Sequence, residues 1–216
     1  MAIHRTISDF KSALQGGGAR PNLFEVHLPN LPEAAGSVGP ADWDSGIQQN
    51  FNFLCKAAAL PASNVAPIEV PFRGRALKVA GDRTFDTWTV TIINDEDFNI
   101  RTAMESWMNG ISKLDNASGA TNPNSYMTDA FVYQMGRGAG RGRHSTGNNG
   151  INGTQEGVRP LRTYKFFDIF PTNVSQIDLS YDSTDTIEEY TVEFQVQYWQ
   201  AGGSNNNVDQ TQVLVR

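Results

Sequence analysis

The side chains that most often carry out chemistry are thinly spread along this sequence. The histidines His4, His27 and His144 form no pair at helical spacing, and the single cysteine, Cys55, has no second thiol to join. A transition-metal site needs three or four such ligands at set spacings. The sequence therefore predicts no metal site and no internal disulfide.

Carboxylate pairs are the remaining candidates for acid and base catalysis. Asp82 lies four residues before Asp86, and Glu188 is followed directly by Glu189. Two such groups could serve a hydrolase, but ion pairing with a neighbour such as Arg83 explains them without catalysis. The sequence contains no Gly-x-Ser-x-Gly elbow and no phosphate-binding loop motif. We predict no catalytic residue, no cofactor and no enzymatic activity, and an enzyme built on Asp82 or Asp86 ranks third among the hypotheses.

A glycine-rich basic segment, GRGAGRGRH at 136–144, is the feature closest to a nucleic-acid-binding element. Its arginines Arg137, Arg141 and Arg143 alternate with glycines but have no aromatic neighbour on which a base could stack. A soluble loop tip explains the same composition. We keep these arginines as possible loop contacts.

Composition limits the classes of protein that remain. The 216 residues carry a formal net charge of -6, with 19% charged residues and 39% hydrophobic ones. This length suits a single domain over 1–216 with a core at about 20–199. A net negative chain is repelled by phosphate backbones, and no apolar run approaches the length of a membrane span. We expect a protein made and kept in the cytosol, without membrane insertion.

Alternating apolar residues predict several strands. The segments with this pattern are 22–28, 51–56, 84–94, 130–135, 161–170, briefly 177–181, and 189–199. Prolines limit 61–72 to edge or irregular extended chain. Cys55 lies in one of these patterns, where a thiol is ordinarily inert packing. Three segments, 29–50, 136–158 and 200–216, have the composition of loop insertions and a flexible C-terminal tail.

A change of period marks one helix at about 98–113. Apolar residues recur there every three or four positions from Ile100 to Leu114. The acidic run Asp95 to Asp97 before it has cap-type side chains, which explains the run better than a cation site does. Many strands with one helix and no strand–helix alternation predict a mainly β fold, an antiparallel sandwich or barrel with one flanking helix.

Five blocks of sequence resemble one family. They are ARPNLFEV at 19–26, FNFLCKAAALPASNV at 51–65, KVAGDRTFDTWTVTIINDED at 78–97, FPTNV at 170–174 and EEYTVEFQVQYW at 188–199. Together they are similar to the tail tube proteins of contractile-tailed bacteriophages, the myoviruses. The positions that carry the motifs, and to which the resemblance gives structural roles, are Arg20, Pro21, Asn22, Gly81, Asp82, Arg83, Asp86, Trp88, Pro171 and Asn173.

The resemblance implies a structural virion protein that forms hexameric rings, which stack into the inner tail tube and conduct viral double-stranded DNA into the host. The implied partners are further copies of itself, the sheath, the tape-measure protein, the baseplate and the tail terminator. The implied location is the virion tail, after assembly in the host cytoplasm. A tube subunit of a protein-injection system and a soluble β-sandwich binding module, using Trp43 or the basic loop, remain as alternatives.

The strand at 189–199 suits a DNA conduit on physical grounds. Side chains alternate between the two faces of this strand. The face that turns toward a core carries Tyr190, Val192, Phe194, Val196 and Tyr198. The polar face carries Glu189, Thr191, Glu193, Gln195 and Gln197. A polar, non-basic wall stays wet and does not grip a polyanion. We therefore predict that this face lines the channel, with a subunit interface as the competing interpretation.

Overall fold

The computed structural model describes residues 6–14, 18–38, 43, 45–136 and 160–203. Four α-helices and a 3-10 segment lie in these ranges: α1 (Ile7–Ala13), the 3-10 segment Glu33–Val38, α2 (Ser45–Leu54), α3 (Asn99–Ile111) and α4 (Pro123–Tyr126). The strands in the same ranges are β1 (Phe24–His27), β2 (Cys55–Ala59), β3 (Ser63–Phe72), β4 (Arg75–Phe85), β5 (Trp88–Ile93), β6 (Thr128–Met135), β7 (Pro160–Val174), β8 (Glu189–Gln195) and β9 (Tyr198–Gly203).

The strands form one large sheet and one separate hairpin. The seven-stranded sheet has the order β1-β6-β7-β8-β5-β2, with β9 paired to β7, and β3 and β4 form a two-stranded sheet. The pairings of β2 with β5, β5 with β8 and β7 with β8 are antiparallel. The prediction of a mainly β, antiparallel fold with a flanking helix is confirmed, and the described strands close no barrel.

The chain divides into two compact units, and the single domain expected from its length stays a prediction. The larger unit comprises 26–131 and 165–200, and the smaller one comprises 1–25, 132–164 and 201–216. In the smaller unit, α1 begins with a capping box between Thr6 and Asp9. The Gln134 amide donates to the backbone carbonyls of Arg20 and Leu23, which fixes the chain around the first sequence block.

The larger unit has an aromatic core on one face of the sheet. Trp88 of β5 is fully buried, stacks on Phe166 at 4.6 Å between ring centroids, and lies 5.3 Å from Phe194. Trp107 of α3 also contacts Phe194, and its indole N–H donates to the carbonyl of Tyr126. The alternating apolar side chains of the strands and the apolar side chains spaced three or four residues apart on α3 therefore pack into one layer.

Helix α3 occupies nearly the predicted range, but its ends differ in detail. Its N-cap is Phe98, which has a left-handed φ of 53° and makes no side-chain capping bond. The Asp95 carboxylate instead accepts from the Glu96 backbone N–H, so the expectation that the acidic run caps the helix is wrong. The helix ends at Ile111, and Leu114, expected on its apolar face, is 96% exposed.

The segment 29–50 is more ordered than its composition suggests. It contains the 3-10 segment and most of α2, which continues to Leu54 through residues predicted as a strand. The indole N–H of buried Trp43 donates to the carbonyl of Leu28, and the Gln48 amide donates to that of Pro29. These tertiary bonds override the loop-type composition, and they place Trp43 in the core rather than on a ligand-binding surface.

Three predicted strand boundaries are also corrected. The predicted strand 84–94 is interrupted at Asp86, where β4 has ended and β5 has not begun. The alternation predicted over 189–199 breaks after Val196, and Gln197 lies between β8 and β9. Tyr198, which was expected in the core, is 39% exposed and stacks on the ring of Phe167. Residues 177–181 form no strand, because nothing covers their apolar side chains within the described chain.

Candidate functional site

Strands β3 and β4 form a long hairpin, here called the hairpin arm, that projects two strands of 10 and 11 residues. Its turn places Arg73 at φ 44° and Gly74 at φ 81°. Two successive positive φ values match the twist of antiparallel strands in a two-residue turn, and glycine adopts them without strain. The arm is therefore a regular element with a defined tip.

One face of the hairpin arm is apolar and bare. Ile68 pairs with Val79 and Val70 pairs with Leu77, so these side chains and Phe72 point to the same side. Their exposed fractions range from 46% for Val70 and Val79 to 66% for Phe72. We call these five residues the hairpin face. Covering half-exposed side chains of this size contributes on the order of 1 kcal/mol each.

The base of the hairpin arm is held by a few specific contacts. The Asp86 backbone N–H donates to the carbonyl of Ala62, and the Asn64 amide donates to the Asp86 carboxylate at 3.0 Å. The pairing slips by one residue between Val65 and Pro67, opposite Gly81. A Cβ on Gly81 would lie 2.6 Å from the backbone oxygen of Ala66, so only glycine fits this bulge.

The second feature is the polar, half-buried side of the sheet around β8. Glu193 pairs with Thr89, and Thr191 pairs with Thr91, so the four side chains share one side of the sheet. Asn173 of β7 lies beside Glu193 in the same register. We call these residues the open face. Residues of β8 alternate between this face and the core, where Tyr190, Val192 and Phe194 are buried.

The third exposed feature is the connection between β7 and β8, residues 175–188, here called the acidic loop. It carries Asp178, Asp182, Asp185 and Glu188 and has no lysine or arginine. Leu179 is 82% exposed, Tyr181 is fully exposed and Ile187 is 73% exposed. Acidic and apolar side chains thus share one uncovered segment.

The motif positions that were expected to have structural roles divide between buried anchors and exposed sites. Trp88 and Pro171 are buried, Asp86 fixes the base of the hairpin arm, and Gly81 lies at its bulge. The exposed positions are Arg20, Pro21, Asn22, Asp82, Arg83 and Asn173. The structure therefore brings Gly81 and Asp86 into one element but does not gather the motif into a pocket.

The candidates for chemistry stay apart. Among the described residues, no group of three His, Cys, Asp or Glu side chains could hold a metal ion. Burial raises the pKa of the Cys55 thiol to about 12, which keeps it protonated and unreactive. Burial also raises the pKa of Tyr190, against the opposing effect of the nearby Arg101 guanidinium. Arg137, Arg141 and Arg143 lie outside the described residues.

The sequence interpretation missed the hairpin arm. Because of the prolines at 61, 67 and 71, residues 61–72 were interpreted as edge or irregular extended chain. The part of β4 that precedes the Gly-Asp-Arg block was not identified as a strand. The missing signal was the alternation of Ile68, Val70 and Phe72, resumed by Leu77 and Val79 after an Arg-Gly turn. Prolines fit because a two-stranded sheet consists of edges only.

No helix among the described residues is long and apolar enough to cross a membrane. Three surfaces are considered further: the hairpin face, the open face and the acidic loop. None of them is a concave site for a small molecule. Their shape and chemistry suit contact with another macromolecule.

Comparison with known proteins gives the family. A family model described as phage tail tube protein matches residues 19–202. Tail tube protein gp19 of Enterobacteria phage T4 is 34% identical over 195 residues, which cover 90% of this chain and 99% of the T4 protein. The tail tube protein of Serratia phage KSP90 is 22% identical over 198 residues, covering 91% of this chain and 96% of the relative.

Solved structures show the same fold. A chain in the sheath–tube complex of the extracellular contractile injection system PVC matches with a TM-score of 0.50 at 13% identity, covering 92% of this chain and 99% of that one. A chain in the tube-terminating cap of the anti-feeding prophage matches with a TM-score of 0.51 at 17% identity, covering 86% and 91%. The match to the family model and the identity to the T4 protein both span most of this chain, so it belongs to the phage tail tube protein family and is a structural component of the virion tail.

Proposed function

We propose that this protein assembles into hexameric rings that stack as the inner tube of a contractile tail, and that the tube conducts viral double-stranded DNA. The hairpin face carries the assembly part of this proposal. Five large apolar side chains stand on an arm that reaches roughly 33 Å if 10 residues extend at 3.3 Å each. A bare apolar face on a projecting element is stabilised when another copy covers it.

Assembly is tested by placing charge on the hairpin face. A variant with Val70→Asp and Leu77→Asp should stay folded as a monomer, since both side chains are already largely exposed. It should form no tubes, because two buried carboxylates without partners oppose association. The matched control is Glu69→Ser with Lys78→Ser, a paired position on the opposite side of the same strands.

Electron microscopy of concentrated protein, with circular dichroism of the monomer, gives the result. Tubes from the control and none from the Asp variant support the proposal. Normal tubes from the Asp variant contradict a role for the hairpin face in assembly. If the Asp variant loses its circular dichroism spectrum, it is replaced by Val70→Thr with Leu77→Asn, which keeps the side chains close to their native size and adds polar groups without charge.

The open face supports the conduit part. It presents Thr89, Thr91, Thr191 and Glu193, and the ammonium group of Lys56 beside it is already paired with the carboxylate of Glu189. A polyanion moving along such a wall meets water and like charge rather than phosphate-binding groups. The phage relatives favour DNA as the cargo, while the injection-system structures share only the fold. The chain then has no catalytic role, and its partners include the sheath, baseplate, tail terminator and tape-measure proteins.

Glu193→Lys with Gln195→Lys tests the conduit. Neither side chain contributes to the core, so tubes should form, and lysines repeated along the channel should slow DNA ejection most at low salt. The control, Glu96→Lys with Gln49→Lys, makes the same charge change at exposed positions elsewhere. Unchanged ejection at low salt would show that β8 does not line the channel, and failed assembly would make the open face a subunit interface.

A further inference from the structure

The hairpin arm ends in a basic tip. Arg73 and Arg75 flank Gly74 at the turn, and neither makes a salt bridge within the described residues. The Arg73 guanidinium lies 5.4 Å from the centroid of the Phe72 ring, and Phe72 and Leu77 are both exposed. The tip therefore combines two free cations with apolar surface. It is an unusual patch on a chain whose formal net charge is -6.

The acidic loop has the opposite charge and the same mixture of chemistry. Asp178, Asp182 and Asp185 make no salt bridge within the described residues. The carboxylate of Asp178 accepts from the amide of Gln176, at 3.3 Å. Exposed Leu179 and Tyr181 lie between the first two aspartates in sequence. The loop thus offers carboxylates around an apolar centre.

Both surfaces belong to every copy of the chain. When one copy's tip meets a second copy's loop, the two partners use different surfaces, so the contact is head to tail. A head-to-tail contact leaves a free tip and a free loop at the ends, and it propagates instead of closing as a dimer. Such propagation is the behaviour that a stacked tube requires.

We propose that the acidic loop of one copy is the docking site for the basic hairpin tip of a second copy. This inference rests on the proposed function, because it assumes that copies associate through the hairpin arm. Phe72 and Leu77 pack against Leu179 and Tyr181, and Arg73 and Arg75 pair with Asp178 and Asp182. The charges select the partner surface and its register, and the apolar contacts supply most of the affinity.

Charge reversal on each side tests the pairing. Arg73→Glu with Arg75→Glu should raise the protein concentration needed for tube formation by roughly tenfold, and so should Asp178→Lys with Asp182→Lys. All four substitutions in one chain should restore assembly to near the wild-type concentration. The matched control for the loop is Glu96→Lys with Asp97→Lys, the same charge change at another exposed acidic run, and it should assemble normally.

The outcomes separate this inference from the proposed function. If the loop variant assembles like wild type at low salt while Val70→Asp with Leu77→Asp does not, the acidic loop is not the acceptor and the proposed function stands. If the tip variant and the loop variant each fail to assemble, and the chain with all four substitutions also fails, then tip and loop do not meet. That result overturns the inference. If loop reversal spares assembly but abolishes binding of purified sheath protein, the loop faces the sheath and the inference is again wrong.

Discussion

Two antiparallel strand pairs in this protein have similar sequence patterns and opposite environments. In β5 and β8, Trp88 pairs with Phe194 and Val90 with Val192, and all four side chains are buried under the aromatic layer. In the hairpin arm, Ile68 pairs with Val79 and Val70 with Leu77, and all four side chains are about half exposed. The pair β5–β8 forms part of the subunit's core, whereas the hairpin arm leaves its apolar surface exposed, and we propose that this surface serves contacts between subunits.

The largest expected difference in stability comes from removing one aromatic side chain from each strand pair, Trp88 from β5 and Phe72 from the hairpin arm. Trp88→Ala should lower the free energy of unfolding of the monomer by about 3–5 kcal/mol, since the stack with Phe166 is lost and a cavity remains. Phe72→Ala should change it by less than about 0.5 kcal/mol, because Phe72 is exposed. Chemical denaturation of dilute protein measures both.

Assembly should show the reverse order. Phe72→Ala should raise the concentration needed for tube formation, while Trp88→Phe, the conservative control in the core, should assemble close to normally. If Phe72→Ala destabilises the monomer as much as Trp88→Ala does, the hairpin face is part of the subunit's core and the distinction between the two strand pairs fails.

A smaller effect is expected at the bulge of the hairpin arm. Gly81→Ala places a Cβ 2.6 Å from the Ala66 backbone oxygen, so the register of β3 on β4 must shift. The protein concentration needed for tube formation should rise roughly tenfold, while the free energy of unfolding of the seven-stranded sheet stays the same. Ala76→Ser in the same exposed strand is the control. Equal assembly of Gly81→Ala and the control would show that the exact register of the arm is unimportant.

The smallest effect concerns the thiol at the start of β2, on the buried side of the comparison. Burial raises the pKa of the Cys55 thiol from its ordinary value of 9.0 to about 12 in the folded chain. The folded state therefore holds its proton more tightly, and this contribution is complete below pH 9 and lost as pH rises from 9 to 12. At pH 10 the wild type should lose about 1 kcal/mol relative to pH 8.

Cys55→Ala should remove that part of the pH dependence, which urea denaturation at the two pH values measures. Rapid alkylation of the native thiol at pH 8, at the rate of the unfolded chain, would contradict the burial of Cys55.

Sequence patterns predicted those elements whose periodicity and burial agree. Strand β8 and helix α3 are recognisable because each buries one regular face, and the predicted helix at 98–113 differs from Asn99–Ile111 by one or two residues. Segment 29–50 and the start of α2 were missed because Trp43 and Gln48 are held by backbone carbonyls distant in sequence. Such bonds leave no local pattern.

The candidate site was predictable only in part. The polar alternation of Glu189 to Gln195 is visible in sequence, and the structure keeps it within β8. The hairpin face was not identified, because apolar alternation ordinarily signals a core, and nothing local says that Ile68 and Leu77 remain exposed. That these apolar side chains stay exposed can be seen only in the folded subunit, where no other element of the described chain covers them.

A reconstruction of the assembled tube by cryo-electron microscopy tests the central claim most directly. We expect sixfold rings in which a neighbouring copy buries the side chains of Ile68, Val70, Phe72, Leu77 and Val79, while Glu193 faces the channel. A reconstruction in which the hairpin face remains open to solvent and Glu193 lies away from the channel would contradict it.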